Sequence, residues 1–325
     1  MKALVTGGLG FIGARMCQYL IERNYKVIVI DNAKDGTLKR KINHPNITYY
    51  LTDICHYNLT RHIYDGVDYV FHFAAESRVP GCEANPSAGL TTNYIGTAVV
   101  LQCAHEAGVK YVVNSSSSAV YGDTRFNVNP RLQSTMDVPK PIGYYGLSKL
   151  NAEDLCKYYY MVKNMNVTSL RYFNVYGPGE DVSGQYAQAV AIFLHQYEMN
   201  QPITIFGDGK QTRDFIHVDD VIQANMDCIN NPSCQGLALN VGTGKSHSIL
   251  ELAKLLEPDV SKIKFQPKRK GDALHTCADM DFSHSVNISK ANNSVIDYML
   301  KQKKMIDEFP LTLKNQVKTF AKQNP

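Results

Sequence analysis

The chain of 325 residues is 44% hydrophobic and 20% charged, with 22 Gly and 13 Pro, enough for one large α/β domain or two modest ones. That composition excludes a disordered or collagen-like chain, and no apolar run reaches the roughly 20 residues of a membrane-spanning helix. The net charge is +4, but residues 301–325 hold six Lys against Asp307 and Glu308, so the rest is neutral and no nucleic-acid stripe is implied.

The first residues, Met1 to Thr6, run straight into glycines and leave no room for a secretory signal. Short β-branched runs follow at Ala3–Thr6, Val27–Ile30, Ile47–Tyr50, Tyr69–His72, Tyr111–Ser115 and Thr168–Tyr172. Helical patterns lie between them at Ile12–Arg23, Asn85–Ala107 and Tyr145–Lys163. Continuous apolar strands separated by helices predict an α/β fold, a doubly wound parallel sheet of the Rossmann type. Ligands of such sheets bind beyond the carboxyl ends of the strands.

After about residue 175 the rhythm becomes irregular. Gly177-Pro178-Gly179 and Phe206-Gly207-Asp208-Gly209 are loop signals, and helices are predicted at Ala187–Glu198, Val218–Asn230 and Ile249–Leu256. Residues 1–175 thus read as a dinucleotide-binding domain. Residues 176–325 read mainly as a smaller α/β substrate-binding lobe, interleaved with the last sheet strands. Residues 301–325, with Met305, Ile306, Phe309, Leu311, Leu313, Val317 and Phe320 between lysines, read as a surface helix. The eight cysteines are scattered without a C-x-x-C pair, as in a reduced cytoplasmic protein with no zinc or other metal site.

Thr6-Gly7-Gly8-Leu9-Gly10-Phe11-Ile12-Gly13 joins the first strand to the first helix. Glycines at 7, 10 and 13 allow a tight turn and close approach of a pyrophosphate to a helix N-terminus. Asp31 ends the second strand, where a carboxylate accepts hydrogen bonds from a ribose diol and repels a 2′-phosphate. Glycine turns and strand-end acids are each common, but in this order they indicate NAD.

Tyr145 and Lys149 stand four residues apart, on one helix face. A phenol with a reference pKa of about 10 becomes a usable base when a neighbouring ammonium favours the phenolate. The spacing alone is common in a chain with 20 Tyr. The run Asn114-Ser115-Ser116-Ser117-Ser118 ends a buried strand and reads as a ligand-facing loop rather than a linker. His72 and His217 lie in strand-like segments and read as structural.

Together these motifs resemble those of the extended short-chain dehydrogenase/reductases of the nucleotide-sugar epimerase and dehydratase type. The resemblance covers about residues 1–280. Besides the motifs above, it rests on Phe71-His72-Phe73-Ala74-Ala75, Asn93-Tyr94-Ile95-Gly96-Thr97 and Val120-Tyr121-Gly122. Arg171-Tyr172-Phe173-Asn174-Val175-Tyr176-Gly177-Pro178 and Gly207-Asp208-Gly209-Lys210-Gln211-Thr212-Arg213-Asp214-Phe215-Ile216-His217 complete it.

The resemblance implies that NAD is held by Gly7, Gly10, Phe11, Ile12, Gly13, Asp31 and Asn32. Asp53 and Ile54 contact its adenine, and Phe73, Ala74, Ala75, Asn93, Ser115 and Tyr172 line its cleft. Tyr145 is the acid–base group, and Lys149 binds the nicotinamide ribose and lowers the tyrosine pKa. Ser117 relays the proton of the sugar O4. On the substrate side fall Ser77, Arg78, Ser118, Thr204 and Phe206. Asn174, Gln188 and Ala189 hold the diphosphate, Arg213 and Arg269 bind its phosphates in pairs of oxygens, and Asp272 lies near the uridine ribose.

Dehydratases of the family place an Asp-Glu pair where this chain has Ser118 and Ala119, and its decarboxylases keep a Glu at Ala119. The remaining chemistry is 4-epimerisation of a UDP-sugar through a 4-keto intermediate. Thr276 stands where glucose-restricted epimerases carry Tyr, which leaves space for an N-acetyl group and favours UDP-N-acetylglucosamine. UDP-glucose and UDP-galactose are expected as further substrates, and the alternatives are another nucleotide-sugar modifier of the family (a UDP-glucuronate epimerase, 4,6-dehydratase or decarboxylase) or a non-catalytic NAD-binding sensor. Family members pair two helices across a two-fold axis, so the resemblance implies a homodimer. Tyr94, Ala98, Leu101, Leu155, Tyr158 and Tyr159 are the apolar residues it would use.

Overall fold

The computed structural model describes residues 1–77, 79–122, 132–180, 182, 188–268 and 273–308. In the first half β1 (Lys2–Thr6), α1 (Phe11–Glu22), β2 (Lys26–Asp31), β3 (Ile47–Leu51), α2 (Tyr57–Thr60) and β4 (Tyr69–His72) follow in order. Then come α3 (Val79–Ala84), α4 (Pro86–Leu90), α5 (Gly96–Glu106), β5 (Tyr111–Ser117), α6 (Tyr144–Lys163) and β6 (Val167–Tyr172).

The second half runs β7 (Asn174–Tyr176), α7 (Ala189–Glu198), β8 (Thr204–Phe206), β9 (Thr212–His217), α8 (Val218–Ile229) and β10 (Ala238–Val241). It ends with β11 (Ser246–Ser248), α9 (Ile249–Leu256), β12 (Lys264–Gln266), α10 (Asp281–Ser285) and α11 (Val295–Glu308).

Seven strands form one parallel sheet in the order β10-β6-β5-β4-β1-β2-β3, as the doubly wound reading requires. One face packs Met16, Cys17 and Leu20 of α1 and Val221, Ile222 and Ala224 of α8 against Val5, Val29 and Phe71. The opposite face buries Val100, Leu101 and Ala104 of α5 and Cys156 of α6 against Leu4, Val70 and Val112. Both faces are dry, which is why the strands read as unbroken apolar runs. The second half contributes β10 and α8 to this body. Its other elements enclose a separate core of Val190, Phe193, Phe215, Leu252, Leu256, Val295 and Met299.

The strands β7, β8, β11 and β12 are three residues each and leave no period to detect in the sequence, whereas the strand-like segment around His217 is the end of the six-residue β9. The predicted helix over 85–107 is interrupted by a wide π turn at Thr91–Ile95, which sets Asn93 inside the site. Leu101 is 1% exposed, and Leu155 and Tyr159 pack on the core. Of the six residues put forward for a dimer face, only Tyr158 remains largely exposed, at 47%. Among the described residues no helix is long and apolar enough to cross a membrane. Residues 309–325 of the predicted tail helix lie outside the described residues; its first turns belong to α11.

A buried ion pair fixes α6 to the sheet. Arg171 Nη2 donates to Glu153 Oε2 at 2.7 Å and Nε to Oε1 at 2.9 Å, with both side chains 6% exposed. Ser116 Oγ also donates to Glu153. Arg171 Nη1 donates to Tyr121 Oη at 3.0 Å, and Tyr121 in turn donates to Asn240 at 2.6 Å. Removing one partner leaves the other charge buried and alone. Arg171→Met should therefore cost about 3–5 kcal/mol of stability, read as a shift in the urea midpoint; an unchanged midpoint would contradict the pairing.

Candidate active site

The loop from β1 to α1 is shaped by contacts only glycine allows. Gly7 has φ +69°, and a Cβ there would lie 2.6 Å from Ala74 N; one on Gly13 would lie 2.1 Å from Gly7 O. The chain therefore crosses itself at van der Waals limit, and a side chain at either place would fill the turn. Helix α1 begins at Phe11 with no side-chain cap, so its first N–H groups and positive dipole end face outward as an anion site. Asp31, 8% exposed, accepts from Leu9 N at 3.0 Å and Ala33 N at 2.8 Å. It thus braces the glycine turn while keeping further acceptor capacity for a diol. Burial raises the Asp53 pKa, but hydrogen bonds from Cys55 and Asn32 outweigh it and hold the carboxyl below its ordinary range. Ile54 is buried against Gly96. These residues fit a dinucleotide.

Ser117 ends β5, and its hydroxyl accepts from Ala119 N at 3.2 Å and acts on the Tyr145 phenol in the direction that favours its ionisation. Lys149 Nζ lies 6.0 Å from the centre of the Tyr145 ring and donates to Ser115 O at 2.8 Å. The three groups predicted from sequence are therefore together. The expected depression of the tyrosine pKa is not found: burial pushes the phenol up to about 12, against the opposing influence of Ser117. Burial also pushes Lys149 down to about 8, against the nearby Cys82, Cys156 and Glu153. Desolvation disfavours both charged forms and is the largest influence on each.

Asn93 Oδ1 accepts from Glu76 N at 2.7 Å, and its Nδ2 donates to Glu76 O at 3.0 Å and Ser148 Oγ at 2.9 Å. It ties the loop that follows β4, through Phe73-Ala74-Ala75, to the helix of Tyr145. Tyr172 is 6% exposed, with its hydroxyl between Ser115 Oγ at 3.3 Å and the Asn225 amide at 2.9 Å. Ser77 is exposed and Ser118 half-buried; Arg78 lies outside the described residues.

Across the cleft, Asn174 Nδ2 donates to Asp214 O at 3.1 Å and to Thr276 Oγ1 at 3.4 Å. Thr276 is 9% exposed. Arg213, equally buried, turns Nη1 to Thr212 O at 2.8 Å. Gln188 precedes α7, donating its N–H to Glu180 at 3.0 Å, and Ala189 opens that helix. Thr204 and Phe206 delimit β8. Arg269 and Asp272 lie outside the described residues. His217 caps α8, accepting from Asp219 N at 3.2 Å, and contacts Tyr176 and Tyr298.

Two residues missed in the sequence support the site. Glu83 of α3 accepts from Tyr144 N at 2.7 Å and so caps the helix that presents Tyr145; Gly143 leaves room for it, since a Cβ would lie 2.6 Å from the carboxylate. No local pattern marks a cap delivered from 61 residues away. Glu153 had a signal: it continues the Tyr145–Lys149 stripe by one more helical turn.

The model of the NAD dependent epimerase/dehydratase family matches residues 3–242, and the chain belongs to that family, whose cofactor is NAD. The structure resembles a UDP-glucose 4-epimerase with UDP-glucose from Thermotoga maritima, at TM-score 0.86 and 31% identity over 95% of this chain and 99% of that one. It resembles equally a UDP-N-acetylglucosamine 4-epimerase from Methanobrevibacter ruminantium M1 in complex with UDP-N-acetylmuramic acid (TM-score 0.85, 30% identity, 94% and 98% covered). A UDP-glucuronate 4-epimerase from Thermodesulfobacterium geofontis is 29% identical over 85% of this chain and 87% of its own length.

The site's electrostatics are directly measurable. In the unliganded protein the ¹³Cε resonance of Lys149 should titrate with a midpoint near 8. A midpoint in the ordinary lysine range of about 10.4 would remove burial as the controlling influence.

Proposed function

We propose that this chain is an NAD-dependent 4-epimerase of UDP-sugars, acting on UDP-N-acetylglucosamine and UDP-N-acetylgalactosamine and accepting UDP-glucose and UDP-galactose. The observation that carries this reading is the juxtaposition of Ser117, Tyr145 and Lys149, with the Lys149 ammonium 6.0 Å from the Tyr145 ring centre and Ser118 and Ala119 offering no acid for dehydration. The family and the UDP-sugar epimerases among its relatives support it.

NAD is held by the turn Gly7–Gly13, by Asp31 and Asn32 at one ribose and by Asp53 and Ile54 at the adenine. When bound it would take the hydride from the sugar C4 and give it back to the opposite face of the 4-keto sugar, and its positive charge would favour the Tyr145 phenolate. Ser117 passes the proton of the sugar's 4-hydroxyl to Tyr145 as C4 becomes a ketone. Lys149 holds its ammonium where it lowers the cost of that phenolate. The 4-keto sugar turns, and Tyr145 returns the proton through Ser117 to the inverted alcohol. Meanwhile the diphosphate stays fixed by Asn174, Gln188, Ala189, Arg213 and Arg269, with Asp272 at the uridine ribose. Anchoring at the diphosphate leaves the hexose as the part free to rotate.

In this reading Thr276 is a small wall residue of the sugar site, and its hydroxyl is already engaged by Asn174. A tyrosine there would occupy the volume of an N-acetyl group. Residues 1–175 are the cofactor half and 176–325 mainly the nucleotide-sugar half. The exposed Tyr158, Met161 and Val162 of α6 and Ile95 before α5 are the surface for a homodimer built on these helices. Eight free cysteines suit the reducing cytoplasm.

A proton NMR time course with UDP-N-acetylglucosamine and no added cofactor should show the galacto anomeric signal growing, from NAD carried through purification. Tyr145→Phe should abolish it. If only glucose and galactose interconvert, the N-acetyl assignment fails. Silence with every UDP-sugar, with NAD added, would instead leave a non-catalytic NAD-binding protein.

In the companion variant, Thr276→Tyr, turnover of the N-acetylated pair should fall by about tenfold or more relative to the plain hexoses. Equal loss on both would place Thr276 outside the specificity wall.

A further inference from the structure

His72 ends β4, paired in register with Thr6 of β1 on one side and Asn114 of β5 on the other. It is 3% exposed, and every polar atom around it is committed. Thr97 Oγ1 donates to Asn93 O at 2.6 Å. A carbonyl can only accept, so that hydroxyl's proton is spent and the contact from His72 Nε2, at 2.9 Å, must have the imidazole as donor. In a neutral ring Nδ1 is then an acceptor, and Thr6 Oγ1 donates to it at 2.6 Å. Thr6 Oγ1 receives the N–H of Ala74 at 3.2 Å in return. Each direction follows from the one before.

We infer that His72 is a positioning residue for the reaction, locked as the neutral Nε2–H tautomer in a directed hydrogen-bond chain from the glycine-turn strand to the helix of Tyr145. From Asn93 the chain continues through its side chain to Ser148 Oγ at 2.9 Å, and from Ser148 to Tyr145 O at 2.7 Å. The wide turn at Thr91–Ile95 brings Asn93 into line, as such turns do at functional sites. The chain thereby fixes the distance between β1, which starts the cofactor turn, and the residue that handles the proton. Burial, with a smaller contribution from Lys149, pushes the His72 pKa down to about 3, so the ring adds no positive charge beside that ammonium.

This inference rests on Tyr145 as the acid–base group, but its first test does not need activity. In protein labelled with ¹⁵N-histidine, long-range proton–nitrogen correlation at pH 7 should show His72 with a proton on Nε2 and a bare Nδ1. His72→Gln identifies the resonance by its loss. An Nδ1–H tautomer or a doubly protonated ring overturns the proposal, whatever the enzyme does.

The second test is kinetic. Thr97→Val, which keeps shape but removes the hydroxyl, should lower kcat about tenfold or more with KM within about twofold, while Thr97→Ser retains near-native kcat. Unchanged kcat in a folded Thr97→Val protein overturns the positioning role. If the tautomer is found but no UDP-sugar turns over, the network stands and the functional reading fails.

Discussion

Every strand pair in the seven-stranded sheet is parallel, and that constraint decides where chemistry can occur. Parallel strands joined by helices present all their carboxyl ends at one edge, because each crossover returns the chain to the opposite edge. Thr6, Asp31, His72, Ser117 and Tyr172 close or nearly close five of these strands. Residues more than 160 positions apart thus share one rim without any local device to bring them together. The helices then need only be placed by their N-termini. Helix α1 is set by the glycine crossing at residues 7 and 13, and α6 by the carboxylate of Glu83 and the buried pair of Glu153 with Arg171.

Burial is the dominant electrostatic influence at this rim, and it acts against the charges the reaction needs. Raising a phenol from 10 to about 12 corresponds to about 3 kcal/mol against the phenolate. A unit positive charge some 4 Å away is worth about 4 kcal/mol at an effective dielectric of 20. The two magnitudes match closely enough that a cationic nicotinamide beside Tyr145 would reverse the balance. In the proposed mechanism such a site would keep Tyr145 protonated until NAD is bound. Lys149, already pushed down to about 8, contributes part of the field at neutral pH.

Much of this was legible in the sequence. Gly7, Gly13 and Asp31 announce themselves because their roles are local, set by one strand, one turn and one helix. Tyr145 and Lys149 are legible as a pair because a helix converts a spacing of four into adjacency. The remainder depends on partners that sequence distance hides. Glu83 acts on Tyr144 across 61 residues, Tyr121 bonds Asn240 across 119, and the pKa of Tyr145 depends on what covers it. His72 read as a structural histidine, and its contacts are indeed all satisfied. What the sequence could not express is that the satisfaction has a direction, fixed by a threonine of α5, 25 residues further on.

The specificity wall proposed at Thr276 follows the same logic at longer range. Thr276 stands on a segment that is anchored on both sides. Ala278 N–H donates to Asp214 Oδ2 at 3.0 Å, and that carboxylate also accepts from Thr243 N and Gly244 N at 2.9 Å each. On the other side Gln133 N donates to Cys277 O at 2.8 Å and Asp279 N to Gln133 O at 3.0 Å. These are backbone bonds, indifferent to side chains at 277 and 279, so divergence there leaves the position of Thr276 unchanged. Asp214 is the exception, a fully buried carboxylate satisfied by four donors from two loops. The position of Thr276 is therefore set less by the residues around it than by one acid 62 positions earlier, next to the arginine that faces the diphosphate in the proposed mechanism. A single strand, β9, would then align both the anchored end of the substrate and the wall against which its sugar turns.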